Sequence, residues 1–360
     1  MKYTYYLLLL ALLISACEDE DMLSPDPGLP EEEEEVVNVV DSFELNLVEL
    51  PVINESGNFS VLDFTTQIPG FIWGTTYRRE AEKNVLFSYN ISDETFQYFT
   101  PPGDLGILSP RWTVAGPDGK LYLYSTGFIY SEVAVFEIES ETWSSITIPE
   151  GVNRVIADLN KKDVWIAHGA GVSRYRNGEL LTYDDTNSGL QKVTSGANTS
   201  FFGGPMAVDS DGVVWYANQG RLFQFRDEAW TEHPNSPFTD ITRISQISPA
   251  ESGGVFVKVS FGALTQVKFN EVVNTYTNEE LTVPSRPAFD IIERGSDESI
   301  IYSHTNGFSY YSLSADTLII IDNTNSELPQ GQLNLYMERD ANGVIWFGGH
   351  NVFGTLPDEW

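Results

Sequence analysis

The sequence contains a single cysteine, Cys17, and only 4 histidines among its 360 residues. A lone cysteine cannot form a disulfide within the chain, and no cysteine and histidine spacing typical of a metal site occurs. Basic residues are also few, since 20 Lys and Arg stand against 52 Asp and Glu, for a formal net charge of -32. A field of that sign repels the phosphates of nucleic acid, so we exclude nucleic-acid binding.

Short motifs that mark common catalytic sites are missing as well. The sequence has no Gly-x-Ser-x-Gly nucleophile turn, no phosphate-binding Walker loop and no His-Glu-x-x-His zinc motif. We therefore predict no catalytic residues, no metal site and no cofactor.

What the sequence does contain is a repeated stretch. Asp209 to Trp215 reads Asp-Ser-Asp-Gly-Val-Val-Trp, and Asp340 to Trp346 reads Asp-Ala-Asn-Gly-Val-Ile-Trp. Each copy, exact or loose, closes on a large apolar residue that we call its marker: Trp73, Tyr122, Trp165, Trp215, Phe256, Ile301 and Trp346. The markers recur about every 45 residues, a period typical of β-propeller blades.

Each repeat carries the signals of four short strands separated by turns, which predicts an all-β fold with one blade per marker. The last repeat is incomplete, because a single further strand near Val352 to Leu356 follows Trp346. The segment Ser42 to Pro51 has the pattern of an outer strand with no blade before it. We therefore predict a seven-bladed β-propeller over residues 42–360, with four antiparallel strands per blade and the N-terminal strand completing the last blade.

Two polar loops add a resemblance to a known family. Asp185 to Leu190 reads Asp-Thr-Asn-Ser-Gly-Leu, and Asn323 to Leu328 reads Asn-Thr-Asn-Ser-Glu-Leu. Together with the Asp-x-Asp/Asn-Gly-x-Ile/Val-Trp stretch, these loops resemble the two-component regulator propeller repeat. That family is abundant in Bacteroidetes and includes sensor domains of hybrid histidine kinases and lipid-anchored relatives. The resemblance implies a propeller that binds or senses a ligand.

The N-terminus predicts export and anchoring. Residues 1–16 hold a basic residue, a short apolar run and small residues, as a signal peptide does. Ile14-Ser-Ala-Cys17 resembles the lipobox of bacterial lipoproteins, in which the cysteine is lipidated. Residues 17–41 then form the lipidated cysteine and an acidic tether, and Glu18 to Asp21 resembles a Bacteroidetes surface-export tag. A signal peptide with an incidental cysteine is the alternative. The predicted location is the bacterial outer membrane, on the cell surface rather than the periplasmic face.

Arginines are the candidate binding residues. Arg111 and Arg154 each stand 11 residues before a marker, at the predicted start of an innermost strand and the mouth of the central channel. Arg243 lies nearby in the fifth repeat, and Trp112 adjoins the first arginine. Arginine binds a carboxylate bidentately, as a sugar acid or a peptide terminus would supply. The alternative is that each arginine pairs with an acid of a neighbouring blade and only ties the ring together.

Two histidines share a position in the repeat. His168 and His304 each stand 3 residues past a marker, in the predicted loop between the second and third strands. In propellers that loop lies on the usual binding face, so both histidines are candidate ligand-binding residues. The alternative is that each is exposed or locally hydrogen-bonded. They belong to the third and sixth blades, so they should not form a shared metal site.

Two functions remain open from the sequence. The first is a non-catalytic binding or sensor propeller, held at a membrane by its lipid anchor, whose partner is a glycan, a peptide or another envelope protein. The alternative is a propeller enzyme of the lyase or lactonase type with a metal near the central channel. The scarcity of histidine favours binding.

Overall fold

A computed structural model of the protein describes these residues: 42–51, 59–78, 81–103, 105, 109–127, 129–195, 198–201, 204–236, 243–259, 263–276, 290–294, 299–312, 315 and 317–357. Side chains of residues 193–200 are excepted. The chain divides into two compact units, Met1–Val36 and Val37–Trp360, and every described residue belongs to the second. The predicted signal peptide, Cys17 and the acidic tether lie outside the described residues.

The described chain forms seven antiparallel four-stranded sheets, each of which is one blade. Strand β1 (Asn46–Leu47) comes first in the chain but belongs to the seventh blade. The first three blades follow in chain order from the innermost to the outermost strand: β2 (Val61–Ile68), β3 (Phe71–Arg78), β4 (Lys83–Asn90) and β5 (Thr95–Phe99); β6 (Trp112–Ala115), β7 (Lys120–Tyr124), β8 (Glu132–Glu137) and β9 (Thr142–Thr147); β10 (Val152–Asp158), β11 (Asp163–His168), β12 (Gly171–Arg176) and β13 (Glu179–Tyr183).

A small hairpin interrupts the repeat after the third blade. It consists of β14 (Val193–Ser195) and β15 (Asn198–Ser200), which pair with each other in a separate sheet. The remaining blades then follow: β16 (Met206–Val208), β17 (Val214–Asn218), β18 (Arg221–Arg226) and β19 (Ala229–Glu232); β20 (Ile244–Pro249), β21 (Val255–Val259), β22 (Leu264–Lys268) and β23 (Glu271–Tyr276); β24 (Ile291–Arg294), β25 (Ser299–His304), β26 (Gly307–Ser312) and β27 (Thr317–Ile321); β28 (Tyr336–Arg339), β29 (Ile345–Gly349) and β30 (Val352–Thr355) with β1.

A 3-10 turn, Pro117–Gly119, lies between the first two strands of the second blade. No described helix is long and apolar enough to cross a membrane.

The repeated aspartate turn explains why the marker tryptophan recurs. Asp209 Oδ1 accepts the backbone N–H groups of Asp211 at 3.0 Å and Val213 at 2.9 Å, and Oδ2 accepts the indole N–H of Trp215 at 2.8 Å. Asp340 makes the same three bonds in the seventh blade. Because both carboxylate oxygens accept hydrogen bonds inside the turn, the motif stabilises the first hairpin of a blade.

The hydrophobic core lies between neighbouring blades, where apolar side chains of adjacent sheets interdigitate. Between the third and fourth blades, for example, the ring of Trp165 lies 4.7 Å from that of Phe225 and 5.8 Å from that of Trp230. Such aromatic pairs bury large areas and orient the blades relative to one another.

The N-terminal strand closes the ring, as predicted. In β1, Asn46 pairs with Thr355 and Leu47 with Gly354 of β30. The strand is only two residues long rather than the ten predicted, because the chain before it leaves the sheet. There Phe43 donates its N–H to the Asn325 carbonyl at 2.6 Å, and the side chains of Phe43 and Leu45 enter the core between the sixth and seventh blades.

Candidate functional site

The innermost strands of the seven blades surround a central channel of about 1040 Å³. That volume is in the range of small-molecule binding sites. Every blade contributes lining residues, from β2, β6, β10, β16, β20, β24 and β28. The channel is therefore the candidate site.

The side chains that line the channel form two rings, which we call the polar ring and the second ring. Residues paired with the seven markers form the second ring: Thr65, Val114, Ile156, Ala207, Ser248, Ile292 and Glu338. Residues two positions earlier form the polar ring: Asp63, Trp112, Arg154, Pro205, Gln246, Asp290 and Tyr336. Side chains two apart on a strand share a face. The residues between the rings are accordingly buried: Phe64, Thr113, Val155, Met206, Ile247, Ile291 and Met337.

Arg154 is the cation of the polar ring. It is the third residue of β10, and its side chain hydrogen-bonds the Tyr124 phenol. Its pKa is raised, first by its interaction with Tyr124 and then by the charges of Asp63 and Asp290, against the opposing effect of burial. Among the described residues no carboxylate forms an ion pair with it, and its Nε is buried without a hydrogen-bond partner. The guanidinium therefore has a donor, Nε, that no described acceptor takes up.

Asp63 and Asp290 are the acids of the polar ring, and each ties its blade to the next. Asp63 Oδ2 accepts the backbone N–H of Thr113 at 2.7 Å, and Asp290 Oδ2 accepts that of Met337 at 2.9 Å. Innermost strands are sheet edges, so these amides have no strand partner on the channel side. Burial raises the pKa of Asp63 well above its usual range and that of Asp290 to about 7, although Arg154 opposes both shifts.

The second oxygen of each aspartate is less engaged. Asp63 Oδ1 has no hydrogen-bond partner among the described residues. Asp290 Oδ1 has one long contact, at 3.4 Å, from the side-chain amide of Gln246. Both side chains line the channel, so these oxygens can accept a hydrogen bond from a ligand.

Glu338 of the second ring differs, because both of its oxygens are occupied. Oε2 accepts the backbone N–H of Thr66 at 2.7 Å, and Oε1 accepts bonds from Gln67 Nε2 at 3.1 Å and Thr65 Oγ1 at 3.3 Å. Burial raises its pKa to about 7. Glu338 therefore joins the seventh blade to the first and is a structural residue.

Arg111, Trp112 and Arg243 also line the channel. The Arg111 guanidinium lies 5.5 Å from the Trp112 ring and hydrogen-bonds Tyr336, whose ring meets Trp112 edge-on at 5.5 Å. Arg111 and Arg243 each directly precede an innermost strand and are exposed. The structure thus brings the three predicted arginines and Trp112 to one channel.

The predicted equivalence of Arg111 and Arg154 is wrong, and Arg154 does not begin its strand at the channel mouth. Ala115 pairs with Leu121 in the second blade, whereas Ala157 pairs with Val164 in the third, so the turn of the third blade is one residue longer. The same number of residues counted back from the two markers therefore reaches positions that differ by one residue on the innermost strand. Neighbouring residues of a strand point to opposite faces. The residue equivalent to Arg154 is Trp112, and Arg154 lies deeper than predicted.

The two histidines lie away from the channel. His168 and His304 are the last residues of β11 and β25, not loop residues, and they are buried, at 0% and 4% exposed. Neither belongs to the channel lining. His168 Nε2 lies 2.8 Å from Ser173 Oγ, and His168 Nδ1 accepts the Ala170 N–H at 3.3 Å. Burial lowers the pKa of His168 to about 4, so its imidazole is neutral near neutral pH. Its hydrogen bonds are made to residues close to it in sequence.

A metal site would need several ligands in one place. Among the described residues, no group of three or more His, Cys, Asp or Glu side chains is placed to hold a metal ion.

The sequence analysis did not select Asp63, Tyr124 or Asp290. A signal was present, because Asp63 stands 10 residues before its marker and Asp290 stands 11 before its own, as Arg154 does. In so acidic a chain, an aspartate at that position does not stand out, whereas an arginine does.

Comparison with solved structures bears on the fold. The chain aligns with the extracellular domain of a B. thetaiotaomicron protein described as a hybrid two-component system, with a TM-score of 0.60 and 13% identity over 87% of this chain and 42% of that one. It thus spans less than half the length of that relative. It also aligns with the WD40 propeller domain of Doa1, with a TM-score of 0.57 and 11% identity over 88% of this chain and 98% of that one.

A chain of the mitotic checkpoint complex is similar as well, with a TM-score of 0.59 and 10% identity over 94% of this chain and all of that one. At these identities the likenesses confirm the propeller fold. No family model matches the sequence. No curated protein matches it either.

Proposed function

We propose that the protein is a lipid-anchored, extracytoplasmic bacterial propeller that binds a small carboxylate ligand in its central channel, without catalysis. The observation that carries this proposal is Arg154, a guanidinium enclosed in the channel with a tyrosine as its only hydrogen-bond partner among the described residues. Donors of an enclosed arginine that lack an acceptor lower the stability of the folded state, and an acceptor on a ligand would remove that penalty. A ligand carboxylate matches its planar donors.

The surroundings of Arg154 favour a ligand of low charge. Asp63 and Asp290 lie close enough to Arg154 for each charge to change the pKa of the others. A second negative charge on the ligand would approach those carboxylates and would meet the acidic field of the whole chain. A single carboxylate, as on a sugar acid or a peptide terminus, fits better than a phosphate.

Location is the second part of the proposal. The lipobox-like Ile14-Ser-Ala-Cys17 supports anchoring at a membrane, and the acidic residues after it support display on the outer surface. The B. thetaiotaomicron domain with the same fold is described as extracellular. The resemblance to two-component regulator repeats supports a sensor or partner-binding role, in which a ligand in the channel changes what the propeller presents to another envelope protein.

The lyase or lactonase alternative depends on a metal near the channel axis. The described residues supply no ligand set for it.

The carboxylate site is tested with the full chain, purified in detergent, and a panel of small carboxylates paired with their neutral amides. We expect several carboxylates to bind by calorimetry and their amides to bind about tenfold or more weakly, since a charged hydrogen-bond pair is lost. Arg154→Gln should reduce carboxylate affinity by a similar factor. Arg226→Gln is the control, because Arg226 stacks on Phe269 outside the channel lining.

Two results would contradict the proposal. One is that no carboxylate in the panel binds. The other is that Arg154→Gln, with an unchanged melting temperature, binds them as the original protein does.

A further inference from the structure

The polar ring presents charges of both signs to one ligand. Arg154 offers donors, while Asp63 Oδ1 and Asp290 Oδ1 offer acceptors that the protein leaves free or weakly bonded. All three side chains belong to the polar ring and line the same channel, and Arg154 influences the pKa of both aspartates. A ligand that carried a carboxylate alone would bond Arg154 and would offer no donor to the Oδ1 atoms of the two aspartates.

The second ring beside these groups is mostly apolar. Val114, Ile156, Ala207 and Ile292 face the channel there, from the second, third, fourth and sixth blades. At the fourth blade the polar ring contains Pro205, whose side chain has no polar atom. A ligand with a polar head and a short apolar branch therefore matches both rings.

We propose that the channel binds a free α-amino acid with an apolar side chain. Its carboxylate would bond Arg154, its ammonium group would bond Asp290 and Asp63, and its side chain would lie against the four apolar residues of the second ring. This inference rests on the proposed carboxylate site and adds the second charge and the apolar branch to it.

Protonation gives an independent signature of the ammonium group. The Asp63 carboxyl is acted on by the Thr113 amide, Arg154, Asp290 and Glu338, and the Asp290 carboxyl by the Met337 amide and Arg154. Tyr336 also faces both aspartates, and Tyr124 faces Asp63. Burial raises the pKa of Asp290 to about 7, so this carboxyl is partly protonated near neutral pH without ligand, and burial raises the pKa of Asp63 as well. An ammonium group favours the ionised carboxylate, so binding of the amino acid should release protons.

The test uses three matched probes on the full chain in detergent: leucine, 4-methylpentanoate, which lacks the amine, and 3-methylbutylamine, which lacks the carboxylate. We expect leucine to bind about tenfold or more tightly than either analogue, because each loses one charged contact. Calorimetry in buffers of different ionisation enthalpy should show proton release for leucine and none for 4-methylpentanoate.

Variants assign the effect to residues. Asp290→Asn should reduce leucine affinity about tenfold and leave 4-methylpentanoate binding within about twofold. Glu338→Gln is the matched control, since it amidates a channel carboxyl whose two oxygens are already bonded to Thr65, Thr66 and Gln67. Melting curves of both variants establish that they fold.

The outcomes separate this inference from the proposed function. If 4-methylpentanoate binds as tightly as leucine, or if folded Asp290→Asn binds leucine normally, the amino-acid assignment is wrong and the carboxylate site stands. If neither leucine nor 4-methylpentanoate binds while other carboxylates do, the amino-acid assignment is again wrong. If no carboxylate of the panel binds, both the amino-acid assignment and the proposed carboxylate site are wrong.

Discussion

Aspartates have two different roles in this propeller, one in a turn and one at the channel, and their hydrogen bonds distinguish the two roles. Asp209 uses both oxygens within its own turn, on two backbone amides and one indole. Asp63 uses one oxygen on the neighbouring blade and leaves the other at the channel. The same side chain thus completes a hairpin in one place and offers an acceptor to a ligand in the other.

The buried channel acids should make stability depend on pH. Glu338 has a folded pKa of about 7, above its ordinary value near 4.5, so the folded state binds more protons than the unfolded state between those limits. Its contribution is fully present at low pH and is lost as the pH rises towards about 7. We expect Glu338→Gln to reduce the fall in unfolding free energy between about pH 5 and pH 8, by up to about 3 kcal/mol.

Urea unfolding at both pH values measures this effect. Glu44→Gln, which changes an exposed side chain, is the control and should leave the pH dependence unchanged. A Glu338→Gln protein with the same pH dependence as the original would show that this carboxyl is ionised throughout.

At the scale of strands, the sequence pattern correctly predicted four strands for each blade. Apolar runs closed by turn residues on both sides recur in the repeats, as at the outer strands β5, β13 and β27. The β14–β15 hairpin was not predicted, since its three-residue strands fall outside the repeat. The position of Arg154 was misjudged for a related reason: a turn longer by one residue moves a side chain to another level, and residue counts alone do not show which turn is longer.

The segment around β1 offers a matched pair of leucines for testing ring closure. Leu45 is 9% exposed and packs in the core between the sixth and seventh blades, whereas Leu47 is 42% exposed. We expect Leu45→Ala to lower the free energy of unfolding by about 2–4 kcal/mol, through lost burial and a residual cavity. Leu47→Ala should change it by less than about 1 kcal/mol. Equal effects in denaturant titrations would mean that the closing segment does not pack as described.

For the whole molecule, the repeat period was enough to predict seven blades and their closure, while the ligand was not predictable. The fold depends on features that recur seven times, so a wrong prediction for one repeat is corrected by comparison with the other six. The channel depends on one residue from each blade, such as Arg154 or Asp290, and a feature that occurs once has no internal comparison.

Anchoring is the property of the whole molecule most directly open to measurement. We expect the mature N-terminus to be Cys17 carrying acyl chains, because the only cysteine of the chain ends a lipobox-like sequence. Mass spectrometry of the N-terminal peptide from membranes checks this. An unmodified Cys17, or cleavage at another residue, would contradict it.

The pairing of Asn46 with Thr355 also sets an order of events during folding. Strands within the first six blades meet neighbours that are close in sequence, so those hairpins can form while the chain is still being made. The seventh blade must bring together segments that are made first and last, and forming a contact over so long a loop is slow. The N-terminal segment therefore waits longest for its partner, and ring closure is the step at which we expect slow folding and sensitivity to chaperones.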